Sequence, residues 1–158
     1  MNQFKNTAML RFFGLTKIPM IYYVRPRVRS LTRERCEIHI PLRRRTRNHL
    51  KSMYFAVLML GGDLAAGLLG MNHISKSSRK ISLVFKDVQA NFLKRVDGDA
   101  IFVCEDGGRI KELIAKVIDS GERQHDTLSV KVYSPEKYGD EVLAEISLTL
   151  SLKLKADQ

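Results

Sequence analysis

The chain has 158 residues, 44% of them hydrophobic and 28% charged, with no low-complexity tract. That composition excludes a disordered or fibrous protein, and the length allows one domain with a real core but not two comfortable ones, so a single domain over residues 1–158 is expected. The net charge of +10 is uneven: residues 1–51 hold 13 Lys and Arg against Glu34 and Glu37, and the remainder is almost neutral. An excess on one side implies an anionic partner, a phosphate-bearing ligand or a solvated basic face. Two cysteines, Cys36 and Cys104, in strand-like apolar patterns and without a secretory signal, point to buried reduced thiols and a cytoplasmic location.

In chain order, Asn6–Leu15 reads as a short amphipathic helix within an N-terminal segment 1–16, stopped by Gly14 and the Ile18–Pro19 step. Its acid-free stretch, with Phe4, Ala8, Phe12 and Leu15 at near-helical spacing, has a trace of a transit peptide. Serine is absent before Ser30, and a helix packed on the domain is the preferred reading. Met20–Val28 looks extended, with Pro26 limiting its use as a central strand. Cys36–Leu42 alternates, with Cys36, Ile38, Ile40 and Leu42 on one face and Glu37 and His39 on the other.

A basic loop and a long apolar helix from about Ser52 to Met71 (52–72 with its ends) come next, and then strands. Ile81, Leu83 and Phe85 alternate with polar neighbours, and Val88–Leu93 continues the pattern after a bulge or bend near Asp87. Gly98-Asp99 makes a turn before the apolar strand Ala100–Cys104. Asp106-Gly107-Gly108 starts a further helix near 107–120 with Ile110, Leu113, Ile114, Val117 and Ile118 on one face, closed by Gly121. Leu128–Tyr133 is a strand and Pro135–Asp140 a turn. Val142 to Leu154 alternates cleanly; at about 13 residues it exceeds the usual strand and suits a strongly curved sheet. The fold class is α+β, with an antiparallel sheet packed around the apolar helix.

The segment Met53–Met71 also has the look of a membrane span behind arginines. Asp63 near its centre, Gly61, Gly62, Gly67 and Gly70, and the half-buried strands that need a partner favour a core helix instead. No membrane partner is expected. Asp63 is the anomaly of the segment: a carboxylate on an apolar helix is costly to bury and needs a partner, a raised pKa or a role. It shares its face with Ala56, Met59, Ala66, Gly67 and Gly70, small residues that let a backbone or a thin ligand approach. Catalysis and a buried structural pairing both remain open on the residues alone.

Asn48 stands six residues before Tyr54, and Asp63 nine after it. With the strand-and-turn stretch Asn91-Phe92-Leu93-Lys94-Arg95…Gly98-Asp99, this spacing resembles the phenylacetate-pathway type of hot-dog acyl-CoA thioesterase. Lys17-Ile18-Pro19, Arg25-Pro26-Arg27-Val28, Thr46-Arg47-Asn48-His49, Ser52-Met53-Tyr54-Phe55 and Gly121-Glu122-Arg123-Gln124 are similar to a divergent hot-dog subgroup over almost the whole chain. The resemblance implies a hot-dog fold and a homodimer (or a tetramer). Its substrate is an acyl thioester such as acyl-CoA, with coenzyme A entering as part of the substrate and no separate cofactor.

By resemblance Asp63 is general base or nucleophile and Asn48 positions the water or carboxylate. A backbone N–H near Tyr54 or Phe55 holds the oxyanion, and Lys94, Arg95, Arg45 and Arg47 serve the coenzyme A phosphates. One departure stands out: Tyr54-Phe55-Ala56 replaces the group's His-Gly-Gly. That departure supports an alternative, a hot-dog protein that binds acyl groups or acyl-CoA without turnover.

His39, His49, His73 and His125 have no metal-ligand spacing with the cysteines, so no metal is expected. Ser52 reads as a helix N-cap rather than a nucleophile. Tyr22 and Tyr23 among Arg25, Arg27 and Arg29 raise nucleic-acid contact, but a strand accounts for the alternation better, and no nucleic-acid partner is expected.

Overall fold

The computed structural model describes residues 3–155. Two helices open the chain, α1 (Gln3–Thr16) and α2 (Pro19–Val24), followed by strands β1 (Arg27–Leu31) and β2 (Cys36–Ile40). The long helix α3 (Phe55–Ile74) leads to β3 (Ile81–Phe92) and β4 (Ala100–Cys104). After α4 (Gly107–Ser120) come β5 (Gln124–Tyr133), the short α5 (Pro135–Tyr138) and β6 (Ala144–Leu154). The six strands form one antiparallel sheet in the order β1-β2-β4-β5-β6-β3.

The sheet curls about α3, which touches β2, β4, β5, β6 and β3. Alternation explains the register: Cys36, Ile38 and Ile40 on β2, Leu128, Val130 and Val132 on β5, and Ile146, Leu148, Leu150 and Leu152 on β6 all point into the core. Each such Leu, Ile or Val contributes roughly 1.5–3 kcal/mol by leaving water. The helix meets them with glycines. A Cβ at Gly61 would lie 2.3 Å from the Phe102 ring, and one at Gly70 2.7 Å from the Leu83 Cδ1, so both glycines sit where the helix approaches the sheet closely. Length and composition alone would let α3 cross a bilayer, yet half of its most apolar stretch is buried within the chain's own core.

Cys36 and Cys104 are register partners on neighbouring strands, both free and fully buried. Burial, first of all, pushes both thiols up, Cys104 to about 11. The expected bulge near Asp87 is present, as a register shift between Phe85 and Asp87.

Four expectations need correction. Met20–Val24 is helical rather than extended: Pro19 occupies the first turn, where its fixed φ favours a helix, and the strand begins only at Arg27. Gly14 does not stop α1, which runs on to Thr16; it lets the helix lie against Ile21 and Tyr22, where a Cβ would come within 2.7 Å of the Tyr22 nitrogen. The buried face of α1 is Leu10 and Gly14, leaving Phe4, Ala8, Phe12 and Leu15 exposed. Ser52 is not the N-cap of α3: Tyr54 holds that position, and the Ser52 hydroxyl donates to Asn48.

Candidate active site

The chain between β2 and α3 is a loop tied down at both ends. Asp99 Oδ1 accepts the Leu42 N–H at 2.8 Å, while the Thr46 hydroxyl donates to the Pro41 carbonyl at 2.7 Å and accepts the Arg43 N–H at 2.8 Å. Asn48 then folds the next turn over its own side chain. Its Oδ1 accepts the Leu50 N–H at 2.9 Å, and the Ser52 N–H and hydroxyl at 3.2 Å each. Lys51 completes that turn in the left-handed region, at φ 61°. Finally Met53 N–H donates to the Val96 carbonyl at 2.7 Å and Tyr54 N–H to the Thr46 carbonyl at 2.9 Å, which delivers the chain into α3.

This wiring decides which donors are free. Tyr54 N–H is consumed by Thr46. The N–H groups of Phe55 and Ala56, in the first turn of α3, have no acceptor within the helix, and no side chain caps them. They carry the positive end of a twenty-residue helix dipole. Of the N–H groups near Tyr54 and Phe55, that of Tyr54 is therefore taken, and those of Phe55 and Ala56 are left without an acceptor among the described residues. Asn48 likewise has its carbonyl oxygen committed to the turn, leaving the amide NH₂ as the group able to face a ligand.

Beside this helix start lies a cleft of about 310 Å³. Asn48, Tyr54, Phe55, Lys94 and Arg95 all line it, as does His49. The lining comes from two stretches, 48–58 and 92–96, joined by the Met53 N–H to Val96 carbonyl bond, while the Leu143 carbonyl accepts both the Leu93 and Lys94 N–H at 2.9 Å and fixes the segment after β3. The apolar floor of Met53, Leu58, Phe92 and Val96 completes it. Tyr54 and Phe55 stand half-exposed at its mouth, their rings edge-on at 4.9 Å.

The basic residues divide. Lys94 is paired with Glu141 at 2.9 Å and lies over the Tyr138 ring at 4.5 Å, and its hydrogen bond to Glu141 raises its pKa. Arg95 is exposed with no hydrogen bond or ion pair among the described residues, free to meet an anion. Arg45 and Arg47 do not reach the cleft. Arg45 donates to the Tyr23 carbonyl at 3.1 Å and stacks on its ring, and Arg47 bridges to Met53 through the backbone with its side chain exposed. Glu141, which neutralises Lys94, lies 47 residues away in sequence, and nothing in the local pattern announces it.

Asp63 lies outside the residues that line the cleft on its own chain. Eight residues beyond Phe55, it is displaced about 12 Å along the helix axis. It is partly buried, makes no hydrogen bond or ion pair among the described residues, and desolvation raises its pKa. Gly67, one turn on, keeps space open beside it: a Cβ there would sit 3.7 Å from Asp63 Oδ1 and 3.6 Å from Phe85. Among the described residues, no group of His, Cys, Asp and Glu is arranged to hold a metal.

Comparison with known proteins places this geometry. No curated protein matches the sequence. Among solved structures, a protein of unknown function from Pseudomonas aeruginosa, described as a probable thioesterase, is 22% identical with a TM-score of 0.76 over 94% of this chain and 96% of its own. A thioesterase from Haemophilus influenzae is 12% identical, TM-score 0.68, over 93% of this chain and 91% of that one. A thioesterase family protein from Silicibacter pomeroyi is 14% identical, TM-score 0.68, over 94% and 99%. At such identities the likeness establishes the hot-dog fold. The model of a family described as a domain of unknown function, DUF4442, matches residues 6–152, and the chain is a member of that family, built on the fold of the hot-dog thioesterase superfamily.

Proposed function

We propose that this protein is an acyl-CoA thioesterase-like hydrolase. The observation that carries the reading is the start of α3: two uncapped N–H groups, Phe55 and Ala56, open beside a cleft with an apolar floor, the Asn48 amide and the unpaired Arg95. Such donors stabilise the oxyanion that develops when a thioester carbonyl is attacked. The carboxylate for the attack is Asp63, partnerless and with its pKa raised by desolvation, which makes it a stronger base once ionised. It takes a proton from water as the water adds to the carbonyl carbon, and the thiolate of coenzyme A leaves with that proton as the tetrahedral intermediate collapses. Direct attack by the carboxylate is the other route: an anhydride forms as the C–S bond breaks, coenzyme A leaves as a thiolate protonated by solvent, and water then opens the anhydride to the free acid and the Asp63 carboxylate.

Asp63 and the helix start are too far apart on one chain to serve one carbonyl, so the reading calls for a homodimer. The edge strand β3 is twelve residues long and uncovered, with Val84, Val88 and Phe92 on it and Leu93 just beyond it all more than half exposed. Pairing two β3 edges brings Asp63 of one protomer toward the cleft of its partner. Arg95 takes a coenzyme A phosphate, with Lys94 in a lesser role while Glu141 holds it. Coenzyme A enters as part of the substrate, no separate cofactor takes part, and neither membrane nor nucleic acid is required. Two unpaired thiols suit a reducing compartment, and the reading places the protein in the cytoplasm.

One observation favours a second reading, acyl binding without turnover. Phe55 and Ala56 add side chains where the related enzymes have glycine, and Phe55 stands at the cleft mouth. Thiol release from short, medium and aromatic acyl-CoAs, wild type against Asp63→Ala, separates the two. Release lost in the variant supports hydrolysis, and binding without release in both proteins replaces it with the second reading.

A further inference from the structure

On the other side of the β2–α3 loop, sharing no residue with the cleft, lies a groove of about 860 Å³. Six arginines line it: Arg11 from α1, Arg25 and Arg27 from the α2–β1 junction, and Arg43, Arg44 and Arg45 from the loop. The lining has one carboxylate, Asp99, and it is already committed. Its Oδ2 holds His39 Nε2 at 3.1 Å, its Oδ1 accepts the Leu42 N–H, and Arg43 approaches only to 3.9 Å. Arg25, Arg27 and Arg44 have no hydrogen bond or ion pair from their side chains among the described residues. A second groove of about 840 Å³ continues from this one across Arg11, Arg27, His39 and Asp99, and adds Arg29, also unpaired, together with the carboxylate of Glu136 at its edge.

A run of arginines on one loop is ordinarily a solvated surface. Here guanidiniums from three separate segments converge on one concavity, which is a different arrangement. Arg25 adds a backbone argument. It caps α2 in the left-handed region, at φ 58° and ψ 54°, a position that favours glycine or asparagine. An arginine there holds a disfavoured backbone, and its side chain lines the groove. Planar guanidiniums in numbers match the oxygens of adjacent phosphates, whereas a single carboxylate would satisfy only one of them.

We propose that this groove is a binding site for an anion carrying two or more linked phosphates. Two sources share that chemistry, a soluble polyphosphate such as a nucleotide and the phosphorylated headgroup of a lipid. On its own chain the groove shares no lining residue with the thioester cleft, and the proposal is argued from the groove's residues alone.

Calorimetric titration of the full chain with pyrophosphate is the test, with Arg25→Gly/Arg44→Gln as the variant. Glycine relieves the backbone at position 25, so the melting temperature of the variant holds or rises and a loss of binding is not a loss of fold. The expected result is salt-sensitive pyrophosphate binding that falls by about tenfold or more in the variant. ATP titration and co-sedimentation with phosphatidylcholine vesicles carrying a polyprenyl diphosphate then identify the source. Vesicle binding displaced by pyrophosphate assigns the headgroup, and ATP binding without vesicle binding assigns the soluble anion. Equal affinity for sulfate and pyrophosphate, unchanged binding in the variant, or no binding of pyrophosphate would each overturn the proposal. So would an oligonucleotide that binds more tightly than pyrophosphate with affinity growing with its length, in favour of a nucleic-acid surface.

Discussion

On the side of α3 that faces the middle of the sheet, a Cβ added at Gly61 would stand 2.3 Å from the Phe102 ring. On the side that carries Asp63, one added at Gly67 would meet nothing nearer than 3.6 Å. The same residue type does two jobs on one helix. At Gly61 the missing side chain lets the helix press on the middle of the sheet. At Gly67 it leaves room beside a carboxylate that has no hydrogen-bond or ion-pair partner among the described residues. A helix held this firmly on one side can present an expensive group on the other without being displaced by it.

The most forceful way to break the comparison is Asp63→Asn. On the proposed chemistry it lowers thioester hydrolysis by roughly 10²–10⁴-fold, read as thiol release, because the amide cannot take the proton. The same variant sharpens the electrostatic side. The folded-state pKa of Asp63 lies above its unfolded value, so the native state is favoured by protonation, and that advantage is lost as pH rises through the folded pKa. Asp63→Asn therefore raises the melting temperature at pH 7, by an amount that shrinks to nothing as the pH falls below the ordinary carboxylate range. A variant both less active and less stable at pH 7 would mean that Asp63 is a structural partner instead.

Gly61→Ala comes next. Alanine in an open helix stabilises by up to about 1 kcal/mol, but here the methyl collides with Phe102, and a loss of roughly 3 kcal/mol in urea denaturation is expected. Val88→Glu tests what covers the Asp63 side. Two carboxylates brought together at a paired β3 edge should weaken association by about 2 kcal/mol, roughly 30-fold, in sedimentation equilibrium. The protomer's thermal transition should stay within about 0.5 kcal/mol of wild type. The smallest effect belongs to Gly67→Ala: helix propensity favours it by less than about 1 kcal/mol, while the methyl beside Asp63 lowers kcat/KM. Loss of stability there would show that the open side is as tightly packed as the other.

Most of the architecture was legible because its signals are local. Cys36, Ile38 and Ile40, the helical face from Ile110 to Val117, and the long alternation ending at Leu154 each state their element within a few residues. Pro19 misled because the same residue breaks a helix in its interior and starts one at its first turn, and only the contact of Gly14 with Ile21 and Tyr22 shows which.

The cleft was readable in part. The spacing from Asn48 to Tyr54 and Phe55, and the pair Lys94–Arg95, do come together. Three things were not visible: the Thr46 carbonyl that takes the Tyr54 N–H, the Glu141 that takes Lys94, and the offset of Asp63 from the cleft. Glu141 reaches Lys94 only because distant segments are laid side by side, the Thr46–Tyr54 bond closes a loop that no side-chain pattern marks, and the offset of Asp63 comes from the helix rise over the eight residues after Phe55.

The cysteine pair has a practical consequence. Cys36 and Cys104 sit opposite one another at 0% exposure, with thiols that burial holds protonated, so a thiol reagent finds neither in the closed sheet. Labelling requires β2 to part from β4, and when it does, two sulfurs are presented together. The rate at which a coloured disulfide reagent reacts with the unmodified protein is thus a clock for the opening of the sheet's centre, built in without any engineered probe.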